Sequence, residues 1–157
     1  MEDLKTEAAW DGLHQHLLAQ PGLPVCLRNA DILTSFSAAP QPGYQWGLWI
    51  SDGDIRTLNV VMGEAPQYEL GVEVDITIAV AGEPGPVRNT LLAAALAALK
   101  AALFPDGLPL AIADKFDGLE TDDTISRKDV PARDGAAPVN GWEFTVVLLL
   151  TASSPLG

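Results

Sequence analysis

YELGVEVDITIAV, residues 68–80, holds a strict two-residue alternation for thirteen positions. Tyr68, Leu70, Val72, Val74, Ile76, Ile78 and Val80 fall on one side; Glu69, Glu73, Asp75 and Thr77 fall on the other. Period two is the mark of a strand with one buried and one wet face. At roughly 3.3 Å per residue it runs about 40 Å, whereas globular strands usually have five or six residues. A strand of that length reads as serving something beyond the protein's own core.

The rest of the chain supplies a modest body around it. Its 157 residues, 48% hydrophobic, suffice for one core and fit a single domain over 1–157. A formal charge of −12, with nine Lys and Arg scattered along the chain, argues against gripping nucleic acid, which needs clustered cations. The start, MEDLKTEAAWDGL, lacks a basic segment followed by an apolar one, so it does not read as a secretory signal and points to the cytoplasm. Cys26 stands alone, which excludes an internal disulfide and a CxxC metal pair and leaves it a small buried apolar residue.

Trp10, Leu13, Leu17 and Leu18 recur at helical spacing before Pro21-Gly22, predicting a first helix within 1–20. LPVCLRN fits a short strand or extended connector, and SFSAAPQPG a loop. Residues 44–82 read as a hairpin followed by the long strand: YQWGLWIS, a turn at Asp52-Gly53-Asp54, a return strand IRTLNVVMG, then the opening stretch. After GEPGP, VRNTLLAAALAALKAALF predicts a second helix over 87–104, with Leu92, Leu96, Leu99 and Leu103 as its stripe. Arg88, Lys100 and the many alanines make that helix too polar and too weakly apolar for a membrane span. LPLAIADKF predicts a further strand, and 117–140, within a stretch carrying nine charged residues, a long loop. WEFTVVLLLT predicts a closing strand over 142–152 whose second face is also partly covered. The order implies an α+β domain: a mixed, largely antiparallel sheet with two main helices packed on one face.

No catalytic signature emerges. His14 and His16 lie two apart on the first helix and point to different faces, so they read as solvent-exposed rather than as metal ligands. Asp114, Asp117, Glu120, Asp122 and Asp123 lack the calcium-loop pattern and read as a solvated acidic loop. No GxSxG, Walker loop or GxGxxG occurs, and Glu73 with Asp75 is what any wet strand face carries. Neither a cofactor nor a metal is implied. Trp46 and Trp49 sit three apart and face opposite sides of a strand, which marks one as core and the other, if exposed, as an interface anchor.

The stretch GEAPQYELGVEVDITIAVAG, followed by VRNTLLAAALAALKAAL and the late strand GWEFTVVLLLTA, resembles the tail terminator and tail completion proteins of long-tailed bacteriophages. The pattern covers most of residues 44–152. The resemblance implies a non-enzymatic virion protein, assembled in the host cytoplasm, whose homo-oligomeric ring, a hexamer, caps the tail tube, stops its polymerisation and meets the head-side connector protein. On that reading the acidic strand face, Glu69, Glu73 and Asp75, lines a channel through which DNA passes without specific binding. Trp49, Asp117, Glu120, Arg127, Lys128 and Arg133 become subunit or partner contacts. A neck or head-completion ring protein, a small α+β hydrolase and a monomeric binding module are the alternatives.

Overall fold

The computed structural model describes residues 4–30, 46–81, 86–121, 124–130 and 139–155. Helix α1 (Lys5–Ala19) is followed by strands β1 (Cys26–Arg28), β2 (Gly47–Val61) and β3 (Gln67–Ala81). Helix α2 (Pro86–Leu103) starts on a proline, whose missing N–H costs nothing at a first helical position. A 3-10 turn (Pro105–Gly107) leads to β4 (Gly118–Thr121), β5 (Ser126–Val130) and β6 (Val139–Ala152). The strands form one six-stranded sheet in the order β1-β2-β3-β6-β4, with β5 also paired to β6. Only β1 runs parallel to its neighbour. The fold is α+β, as expected.

β3 is the centre of this arrangement. It pairs without a break to β6, from Tyr68↔Ala152 to Ala81↔Val139, and to β2 on its other side. The alternation therefore fixes the faces of three strands at once. On one face Leu48, Ile50, Leu70, Val72, Val74, Ile76, Ile78, Val146 and Leu148 are almost fully buried. Both helices close that face: Ala9, Leu13 and Leu17 of α1, and Leu92, Ala95, Leu99, Ala102 and Leu103 of α2, join the same apolar cluster. The buried stripe of α2 thus includes two alanines, which bring helix and sheet close, while Leu96 is only half-buried and Leu18 of α1 is exposed. Among the described residues no helix is long and apolar enough to cross a membrane.

Three readings of the sequence are corrected. Asp52-Gly53-Asp54 is not a turn: β2 continues through it, with a bulge between Asp52 and Ile55. A side chain on Gly53 would put its Cβ 2.9 Å from the Glu73 Cβ, so glycine here serves close approach of strands rather than chain reversal. The hairpin turns at 62–66 instead, between β2 and β3. Residues 108–116 are not a strand either. Asp106 and Gly107 take positive φ (56° and 78°), and the following segment folds back through a lone Ile112↔Phe116 bridge around Asp114, itself at φ 65°. Finally, 117–140 is not one long loop, because β4 and β5 lie along the outer edge of β6. Each hides little: of the described side chains in these two strands only Leu119 is buried, so their charged sequence looks like loop. The loop expected at SFSAAPQPG lies outside the described residues.

Gly141 shows how tightly the central strands pack. A Cβ there would sit on the carbonyl oxygen of Ile78. Gly141→Ala is expected to lower the unfolding free energy by about 3 kcal/mol, in the range of severe backbone clashes. Gly63→Ala, with open space around it, should change it by less than about 0.5 kcal/mol; urea midpoints of the two variants check the contrast.

Candidate assembly surface

The sheet face turned away from the helices carries polar residues in register. Across β3 and β6, Thr77 Oγ1 donates to Glu143 Oε2 at 3.3 Å and Thr145 Oγ1 to Asp75 Oδ1 at 2.8 Å. Glu73 is ion-paired with Arg56 of β2. Glu120 of β4 lies in the same row as Glu73, with Val147 between them. Glu69 is exposed, opposite Asn59 and Thr151. Five carboxylates and one guanidinium thus share this face among the described strand side chains. Glu69, Glu73 and Asp75 stand together on it, but the last two have partners. Apolar side chains interrupt the acids: Leu58 and Val147 close over Gly71, whose missing side chain leaves them room.

At the far end of this face Trp49, Ala79, Leu27 and Ala30 form a second, smaller apolar cluster. Trp49 is only 4% exposed and its ring lies back over Gly47, while Trp46 is buried in the main core. The expected division by face is present. The expectation of an exposed tryptophan is corrected, since both rings are covered.

The largest exposed apolar feature is the hairpin of β2 and β3. Every residue from 54 to 65 is exposed. Five of the ten exposed large apolar residues among those described, Ile55, Leu58, Val60, Val61 and Met62, fall within it. β1 covers the outer edge of β2 only at Leu48, Trp49 and Ile50, so beyond Ser51 that edge has no neighbour among the described strands. The long alternation pointed to a strand outrunning its core, and β2 outruns it too. An unprotected apolar sheet edge invites association.

A polar clamp fixes the root of this arm. Arg28 donates to both Asp52 oxygens (2.9 and 2.7 Å) and to Glu7 of α1 (3.0 and 3.2 Å). Hydrogen bonding to Asp52 is the main cause that pushes the Arg28 guanidinium up from its usual range, and burial opposes it. Asn29, in the left-handed region at φ 56°, accepts from the Asp52 N–H (2.9 Å) and donates to its carboxylate (3.2 Å). Nothing in the linear pattern announces the clamp, because its members are 21 to 24 residues apart.

The other candidates resolve into packing. His14 and His16 are half-buried, not solvent-exposed: their Nε2 atoms meet the carbonyls of Cys26 (2.8 Å) and Ala102 (3.1 Å), tying α1 to β1 and α2. Among the described residues no group of three His, Cys, Asp or Glu is placed to hold a metal. Burial pushes the Cys26 thiol up to about 12, which suits packing rather than nucleophilic attack. A recess of about 500 Å³ is lined by Lys5, Asp114, Lys115, Phe116, Asp117, Leu150 and Thr151, with no serine, histidine or cysteine. Asp117 and Glu120 are exposed near the β4 edge; Arg127 is exposed with its guanidinium 5.5 Å from the Trp142 ring centroid. Lys128 pairs with Gly141 in the β5–β6 ladder, and Arg133 lies outside the described residues. No family model matches the chain, and no curated protein matches it either.

Asp52→Ala strands the Arg28 guanidinium, only 17% exposed, and is expected to cost about 2 kcal/mol, as for hydrogen bonds to charged groups. Arg56→Ala, at a side chain 58% exposed, should cost under about 1 kcal/mol. Urea denaturation of both variants separates clamp from surface pair. Native Cys26, with a thiolate fraction about a thousandfold below that of a thiol at its ordinary value of 9.0, should resist iodoacetamide at pH 8 and react only on unfolding.

Proposed function

We propose that the chain is a ring-forming structural protein of a long-tailed bacteriophage, a tail terminator that caps the tail tube and meets the head-side connector. The observation that carries this reading is the β2–β3 arm: twelve consecutive exposed residues, 54–65, rich in large apolar side chains, on strands of fifteen residues each. A monomer gains nothing from keeping such a surface in water, whereas an assembly uses it. The resemblance of the strand–helix–strand pattern to tail terminators supplies the kind of assembly.

The carboxylate-bearing face, free of helices, fits a channel wall. Repeated around a ring it repels phosphate without binding it, and Arg56 beside Glu73 tempers the charge rather than reversing it. DNA then passes through while the arms hold protein neighbours. No cofactor or catalysis enters this role.

Light scattering and negative-stain microscopy of the purified protein, at low and high salt and with tail tubes, test the reading. Salt is a variable because −12 per subunit opposes assembly, and raising ionic strength from about 0.1 to 1 M shortens screening from about 10 to 3 Å. Rings of about six subunits, or caps confined to tube ends, are expected. A single-subunit particle that ignores tubes at every salt would overturn it.

A further inference from the structure

The arm edge has a counterpart on the same molecule. The sheet has two outer edges: β2 beyond Ser51 on one side, and β4 with β5 on the other. The second edge carries the one basic concentration in an acidic chain, since Arg127, Lys128 and Arg133 are three of its nine basic residues within seven positions. Arg127 is exposed, and Ile125, 53% exposed, stands immediately before β5. The arm offers the complement: exposed Asp54, Glu64 and Glu69 around exposed Val60, Val61 and Met62.

Strand directions agree with the match. β2 and β5 run antiparallel to each other, because β3 opposes β2, β6 opposes β3, and β5 opposes β6. A copy placed beside another in the same sheet sense therefore brings β5 against β2 as an antiparallel pair. The two edges lie at opposite ends of the strands, as β5 pairs with the end of β6 that meets Thr77 to Ala81 while the arm meets Gln67 to Val72. Copies joined this way are staggered, as the strands of a closed ring are.

We infer that the arm docks on the β5 edge of a second copy of this chain, head to tail, with Glu64 and Glu69 facing the neighbour's Arg127 and Lys128 and with Val61 and Met62 covering its Ile125. A heterologous contact of this kind leaves each copy with one free arm and one free edge, so it propagates until a ring closes. The inference deepens the ring-forming reading and rests on it, but it concerns contact between copies alone. Charge opposition at such a contact fixes partner and register, and reversing one side penalises it.

The test is sedimentation velocity on three proteins without tail tubes: the natural chain, R127E/K128E and E64K/E69K. The natural chain is expected to associate, and each variant to associate about tenfold more weakly or worse. An equimolar mixture of the two variants should recover the natural association, since every arm then finds an edge of opposite charge. V61D/M62D should also weaken association, and thermal melts verify that each variant is folded. A natural chain that stays single at all salt concentrations, variants that associate as it does, or a mixture that recovers nothing would overturn the inference. Because no tube is present, failure to bind tubes leaves this contact standing, and failure of the contact leaves tube binding to its own experiment.

Discussion

Everything in this molecule hangs on the pairing of β3 with β2 and β6. One strand with apolar residues at every second position is bonded along its whole length on one side and nearly so on the other. Slipping it by one residue would turn Val72, Val74, Ile76 and Ile78 to water and bring Glu73 and Asp75 under the helices, so register is strongly set. The close approach at Gly141 and the bulge at Gly53 are local adjustments to that ladder. The helices then have one apolar face to cover, and both cover it.

Two surfaces follow from the same ladder. The face opposite the helices is left to Glu69, Glu73, Asp75, Glu120 and Glu143, held partly in check by Arg56 and two threonines. The end of the ladder is left without a core beneath it, because α1 and α2 do not reach as far as Val61 and Met62, which stay exposed. The first surface is suited to excluding a polyanion, the second to holding a protein. The Arg28–Asp52–Asn29 clamp stands where β1 stops, at the point where β2 passes from the body into the arm.

The strongest periodicities in the sequence were legible. Thirteen alternating residues gave β3, WEFTVVLLLT gave β6, and the Ala/Leu run gave α2, since each buries a full face and so must repeat with its element's period. Edge elements were not. β4 and β5 bury almost nothing beyond Leu119, so their charges looked like a loop. Asp-Gly-Asp looked like a turn because its composition suits one, but the partner strand continued past it and turned the glycine into a bulge. Of the candidate site, the acidic face could be read directly, because one strand carries most of it. The arm could be read only in part: the length of β3 was plain, whereas the continuation of β2 depends on a partner strand that the linear pattern of β2 does not reveal. Trp49 shows the same limit from the other side, buried by its own Gly47 and by Ala79 rather than left out as an anchor.

The central claim is that the overrun of β2 and β3 is an assembly surface. Amide hydrogen exchange at residues 54–62, compared between the dilute chain and the chain assembled with itself or on tail tubes, tests it most directly. The account predicts fast exchange along this edge when the chain is alone and marked protection on assembly, with the interior of β3 unchanged. Equal exchange at 54–62 in both states would contradict it.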